Sequence, residues 1–141
     1  MVQIVKHLVR PEHLNGTNRL FGGTLLSWID EATAIAAIEL VGSTNVATVA
    51  ISDIVFKRPV QRGELIRIAV CLTEVGRTSL TFRVKVTTHE SRKPVITVER
   101  VVYVALDDDG RPRVHGVKKV ASKTCLTPRN DSKRSMQNKR P

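Results

Sequence analysis

Cysteine is nearly absent from this chain: two copies, Cys71 and Cys125, occur in 141 residues. One stands in an apolar, strand-like run and the other in a polar segment, so the spacing implies neither a disulfide framework nor a set of metal ligands. Aromatic residues are scarce too, at 4%. That argues against a surface that stacks nucleic-acid bases on interleaved rings. No apolar run approaches the ~18 residues of a membrane-spanning helix. The opening Met1-Val2-Gln3-Ile4-Val5-Lys6 lacks the basic stretch, apolar run and small-residue cleavage site of a signal peptide. Together these absences imply a cytoplasmic protein with no structural metal and no membrane partner.

Acids are missing from one region in particular. Residues 111–141 hold 10 Lys and Arg against a single acid, Asp131, whereas residues 1–110 are nearly balanced at 13 against 12. The formal net charge of +10 therefore belongs to a tail. A segregated charge run of this kind reads as a solvated, flexible extension more than as a nucleic-acid-reading body. The expected organisation is one domain over residues 1–110 and a basic tail over 111–141, with no specific nucleic-acid partner. A chain of this length is large enough for one real hydrophobic core and too short for two.

Within the body, one segment has helical character. Thr24 to Val41 is a run of helix formers closed by Gly42, a good residue just past a helix C-terminus. It is apolar on most sides, through Leu25, Leu26, Ile29, Ala32, Ile35, Ala36, Ile38 and Leu40, so it is expected to be buried. The rest reads as strand. Val2 to Val9 stops at Arg10-Pro11, and Val46 to Phe56 stops at Lys57-Arg58-Pro59. Leu65 to Val75 sets Ile66, Ile68, Val70 and Leu72 on one face. Leu80-Phe82-Val84-Val86 alternates with Thr81-Arg83-Lys85-Thr87, as in a half-solvated antiparallel strand. Val95 to Leu106 alternates except at Glu99-Arg100, where a bulge is expected. The links at Gln61–Glu64, Gly76-Arg77 and Ser91–Pro94 are short enough for hairpins, and Asp107–Gly110 closes the ordered part. The fold class is therefore α+β: a curved antiparallel sheet of about five strands wrapped around one long central helix, the hotdog architecture. One helix cannot cover such a sheet alone, so a dimer is expected as the minimal unit.

Three features carry chemical potential. Asp30 lies inside the buried helix among Leu26, Ala34 and Ala37, where a carboxylate is costly unless paired or functional. It can also simply point to solvent. Gly22-Gly23 opens the helix, where unsatisfied amides suit a developing oxyanion or a phosphate, though the pair is also an ordinary loop-to-helix junction. Asn15 and Asn18 offer amides in the preceding loop, and Asn is equally a turn residue.

Taken together, Asn15-Gly16-Thr17-Asn18-Arg19-Leu20-Phe21-Gly22-Gly23, followed by Asp30 seven residues after the second glycine, resembles the acyl-CoA hydrolase family of hotdog thioesterases. That family includes bacterial YciA-type and brain-type acyl-CoA hydrolases. Two further blocks match in order: Phe56-Lys57-Arg58-Pro59-Val60-Gln61-Arg62-Gly63-Glu64, and Val75-Gly76-Arg77-Thr78-Ser79-Leu80. The resemblance covers about residues 2–110. It implies an acyl-CoA thioesterase that releases a free fatty acid and coenzyme A, with no added cofactor. Asp30 would be general base or nucleophile, Asn15 its partner from the other subunit, and the Gly23 amide the oxyanion donor. Gly22, Arg58, Gly76, Arg77, Thr78 and Ser79 would contact coenzyme A. Because the family often has Gly where Asn18 stands, the amide role remains open between Asn15 and Asn18. The resemblance also implies a homodimer, assembled further as a trimer of dimers. Alternatives are a hydroxyacyl-thioester dehydratase, which would need a His beside Asp30, and a non-catalytic acyl-CoA sensor, which would lack the acid and carry a DNA-binding module. A Ser-His-Asp set is not suggested by His7, His13, His89 or His115.

Overall fold

The computed structural model describes residues 2–118. Five strands, β1 (Val2–Leu8), β2 (Val46–Phe56), β3 (Leu65–Val75), β4 (Ser79–Thr88) and β5 (Ser91–Ala105), and one long helix, α1 (Gly22–Val41), make up the chain, with a short 3-10 turn at Pro11–His13. All strand pairs are antiparallel in the order β1-β3-β4-β5-β2. This is the expected hotdog arrangement. Ile66, Ile68 and Val70 of β3, Phe82, Val84 and Val86 of β4 and Ile96 and Val98 of β5 turn into one core, which α1 fills with Leu25, Trp28, Ile29, Ala32, Ala36 and Ala37. The small alanines let the sheet curl closely around the helix.

The helix begins two residues earlier than expected. Phe21, in extended conformation, occupies the cap position without a side-chain cap, and no acid stands in the first turn. Gly42, at φ 74°, ends the helix and donates its N–H to the Ile38 carbonyl at 2.8 Å. On the sheet, β4 and β5 slip register between Val84↔Val98 and Phe82↔Val101, which places a bulge at Glu99-Arg100.

Two expectations need correction. Ser91–Pro94 is the beginning of β5 and not a linker. Pro94 is tolerated because β5 meets β2 only from Ile96 onward and slips register against β4 between Val86 and Thr88, so no ladder donor is lost there. The ordered chain also runs past Gly110. Arg113 donates its N–H to the Ala105 carbonyl at 2.9 Å, and Val117 packs against the core. Of residues 111–118, Val117 supplies this apolar contact, while Val114 stays exposed. Cys125 and the remainder of the basic segment lie outside the described residues.

Candidate active site

Asp30 is two turns into α1 and half-buried. Its carboxylate faces the start of the edge strand β2 and the end of β5. Thr48 Oγ1 donates to Asp30 Oδ1 at 2.8 Å, and Tyr103 Oη lies 2.6 Å from the same oxygen and 2.8 Å from the Asp30 carbonyl. Thr48 and Tyr103 are direct partners across the β2–β5 ladder, so the sheet register itself places both donors. No described residue donates to Oδ2, which leaves that oxygen free to act on another group. The Tyr103 hydroxyl is pushed well above the ordinary tyrosine range, first by burial and then by its hydrogen bond to Asp30. It therefore remains a donor across the accessible pH range.

Thr48 and Tyr103 were not among the residues singled out from the sequence. Tyr103 carried a readable signal: it is the only tyrosine of the chain and lies in the apolar run Val101–Ala105 at the end of β5, where a buried hydroxyl must find a partner. Thr48 carried none, because threonine is ordinary in a strand.

The loop before the helix separates the two asparagines. Asn15 Oδ1 accepts from the Thr17 N–H at 3.0 Å, from Thr17 Oγ1 at 2.8 Å and from the Arg19 N–H at 3.2 Å. Its carbonyl oxygen is committed to the loop, so Nδ2 is the half of the amide left to serve a ligand, and it is a donor. Asn18 instead adopts φ 58°, a left-handed conformation that glycine and asparagine tolerate best. That is a turn duty.

Gly22 and Gly23 sit where α1 passes close to aromatic rings. A Cβ on Gly23 would lie 2.7 Å from Phe21 Cε1, and one on Gly22 would lie 3.4 Å from the Phe56 ring. Asn15 and Gly22 line a cavity of about 320 Å³ together with Arg19, Lys57 and Arg58. Asp30, eight residues along the helix from Gly22, stands roughly 12 Å away at 1.5 Å per residue and does not line it.

The residues suggested for coenzyme A fall into two groups at opposite ends of the sheet. Arg58 Nη2 donates to Thr88 Oγ1 at 2.8 Å, at the end of β4. Gly76, Arg77, Thr78 and Ser79 form the turn that begins β4. There the Gly76 N–H donates to the Ser79 carbonyl at 2.9 Å, and a Cβ on Gly76 would collide with Ser79 Oγ. Nine strand steps of about 3.3 Å separate the groups by roughly 30 Å along β4. A single chain therefore does not bring Gly22 and Arg58 together with the hairpin. Asp30 lies at the hairpin end, since its partner Tyr103 pairs with Leu80. His115 also reaches this end. Its Nδ1 accepts the Val117 N–H at 2.9 Å, which leaves Nε2 to donate to the Ser79 carbonyl at 3.0 Å.

Comparison with known proteins bears on this geometry. The thioesterase superfamily profile matches residues 17–95. The acyl-CoA thioester hydrolase YciA of Salmonella typhimurium is 30% identical over 116 residues, covering 78% of this chain and 86% of that one. A protein of Zymomonas mobilis named an acyl-CoA thioester hydrolase is 31% identical over 112 residues, covering 77% and 74%. Among solved structures, a hexameric thioesterase from Yersinia pestis superposes with a TM-score of 0.73 at 29% identity, covering 78% of this chain and 91% of that one. An acyl-CoA hydrolase from Staphylococcus aureus, in complex with butyryl coenzyme A, coenzyme A and coenzyme A disulfide, gives a TM-score of 0.71 at 26% identity, covering 80% and 68%. That hydrolase is also solved as variants in which one asparagine, one aspartate and one threonine are replaced by alanine.

Proposed function

The chain belongs to the thioesterase superfamily, and we propose that it hydrolyses acyl-coenzyme A to a carboxylic acid and coenzyme A at a site built by two copies of itself. The observation that carries this reading is the division of the machinery. One end of each chain holds Asp30 with Oδ2 free, and the other holds the Asn15 donor and the uncapped amides of Gly22-Gly23.

A two-fold pairing of β2 with itself reunites them. This strand is an edge of the sheet and exposes Val49 at 57%, Val55 at 50% and Phe56 at 55%. A long apolar edge is a template for strand addition. An isologous antiparallel pairing centred on Ser52 sets Thr48 opposite the partner's Phe56. Asp30 is bonded to Thr48 and Gly22 packs on Phe56, so each Asp30 then faces the partner's Asn15 and Gly23. The hairpin Gly76–Ser79 lies on the Asp30 side, and Arg77 there is an exposed cation suited to the phosphates of coenzyme A. The hexameric Yersinia pestis relative supports a trimer of such dimers, and a cytoplasmic setting goes with a substrate made and used there.

The chemistry follows from the donors. With the thioester carbonyl oxygen held by Asn15 Nδ2 and the Gly23 N–H, charge developing on that oxygen is stabilised by donors fixed in advance and by the positive end of α1. Asp30 Oδ2 either deprotonates a water that adds to the carbonyl carbon or attacks that carbon itself. The carbon–sulfur bond then breaks, and the coenzyme A thiolate leaves. Thr48 and Tyr103 hold Oδ1 and so fix the direction of Oδ2. The separation of fifteen positions from the replaced asparagine to the replaced aspartate of the Staphylococcus aureus hydrolase equals that from Asn15 to Asp30, which supports Asn15 over Asn18. The decisive measurement is thiol release from acyl-CoA by Asp30→Ala. A loss of about 10²–10⁴-fold in kcat, the usual worth of a positioned acid or base, is expected with the circular dichroism spectrum unchanged. Turnover within twofold of wild type refutes the mechanism.

A further inference from the structure

The cavity at the start of α1 holds more positive charge than thioester hydrolysis needs. Arg19, Lys57 and Arg58 line it, no acid does, and the remaining wall is largely apolar, including Leu20, Leu25 and Phe56. Among the described residues, Arg19 and Lys57 enter none of the ion pairs and offer no side-chain hydrogen bond. Arg58 gives Nη2 to Thr88 Oγ1 and the Lys93 carbonyl, yet its Nε is buried and makes no hydrogen bond. A buried guanidinium donor without an acceptor is costly, and its planar fork matches a carboxylate or a phosphate. A largely apolar, open cavity with cationic lining fits a short carbon chain that ends in an anion.

Coenzyme A and the acyl group are the two possible sources of that anion, and distance separates them. If Asn15 and Gly23 hold the thioester carbonyl, the cations share one cavity with it, and a sphere of the same volume is roughly 8 Å across. The first phosphate of coenzyme A is thirteen bonds from the sulfur, about 16 Å when extended. A carboxylate at the far end of a five-carbon acyl chain is about 5 Å from the thioester carbon. The acyl group reaches the cations and the extended phosphate arm overshoots them. We propose that this cavity binds the acyl portion of short ω-carboxyacyl-CoA thioesters, with Arg19, Lys57 and Arg58 receiving the terminal carboxylate. The inference rests on the proposed placement of the thioester at Asn15 and Gly23.

The test compares glutaryl-CoA with hexanoyl-CoA, which have acyl groups of similar length. Equilibrium affinity is measured on the Asp30→Asn protein, and kcat/KM on the wild type and on an Arg19→Met/Lys57→Met double variant. At least a tenfold preference for glutaryl-CoA is expected in both affinity and kcat/KM. The ratio should fall at least tenfold in the double variant and return in Arg19→Lys/Lys57→Arg. No preference in the wild-type background overturns the proposal. So does an equal loss for both substrates in the double variant, and acyl-pantetheine insensitive to the double substitution would then assign the cations to coenzyme A phosphates. A wild-type protein that cleaves neither thioester refutes the hydrolase reading, while the affinities on Asp30→Asn still decide what the cavity holds.

Discussion

Two asparagines in one loop perform different work, and the difference lies in side-chain bonding for one and in backbone angle for the other. Asn15 spends its carbonyl on three donors of its own loop, and under the proposed function its amino group serves the substrate. Asn18 supplies a left-handed turn at φ 58°. Asn15→Asp keeps the acceptor that holds the loop and removes the donor, so kcat should fall by about 10²–10³, as for loss of one oxyanion donor, with little change in melting temperature. Asn18→Ala should cost about 1–2 kcal/mol of stability, the left-handed penalty for an ordinary residue, and Asn18→Gly should not. Steady-state kinetics and thermal melts on the three variants check this; comparable kinetic losses at both positions would reverse the assignment. None of this was readable beforehand. Sequence order leaves the two amides equivalent, and only the hydrogen bonds of the folded loop separate them.

At the level of elements, legibility depended on whether a segment is buried on one face or governed by its neighbours. The ends of β2 and β3 follow the expected boundaries because Pro59 and Gly76 close them locally. The alternation of β4 shows through because one face is core and the other is not. The bulge at Glu99-Arg100 was visible because two charged residues in succession cannot both face outward without a slip. Pro94 misled, since its fitness within β5 depends on where β2 ends, a fact held by another segment. The packing of β1 on α1 was equally hidden. His7 stacks on Trp28 with ring centroids 4.3 Å apart and planes 3° from parallel, and His13 meets the same ring edge-on at 4.8 Å. Burial lowers the His7 pKa below its ordinary value; Glu31 opposes this and His13 adds to it. Because the folded value lies below the unfolded one, the contribution is full above about pH 6.5, the unfolded value, and is lost as pH falls through the folded value. His7→Phe retains the stack without a titrating group. Its melting temperature should decline less than that of wild type between pH 7.5 and 5, and parallel declines would exclude His7 as the cause.

In the proposed function the site lies in two halves, and this shapes what any single substitution can reveal. The dimer was expected from the poverty of helices in the fold, and the exposed apolar residues of β2 supply the edge used in the proposed pairing. The suggested coenzyme A contacts were drawn together in the sequence by family order alone, although the strand length of β4 keeps Arg58 apart from Gly76–Ser79 within a subunit. If Asp30 works with the partner's Asn15, an Asp30→Ala chain and an Asn15→Asp chain are each inactive for complementary reasons. Mixed in one dimer, they form one site with both residues damaged and one with both intact. Random pairing from an equal co-expression makes half the dimers mixed, each with one of its two sites restored, so about one quarter of wild-type activity should return. Turnover by the co-purified mixture that merely averages the two parent variants would place Asp30 and Asn15 in the same chain. The roughly 12 Å of helix between Gly22 and Asp30 would then have to be closed by movement within a single subunit, a rearrangement that the packing of Ile29 and Ala32 in the core opposes.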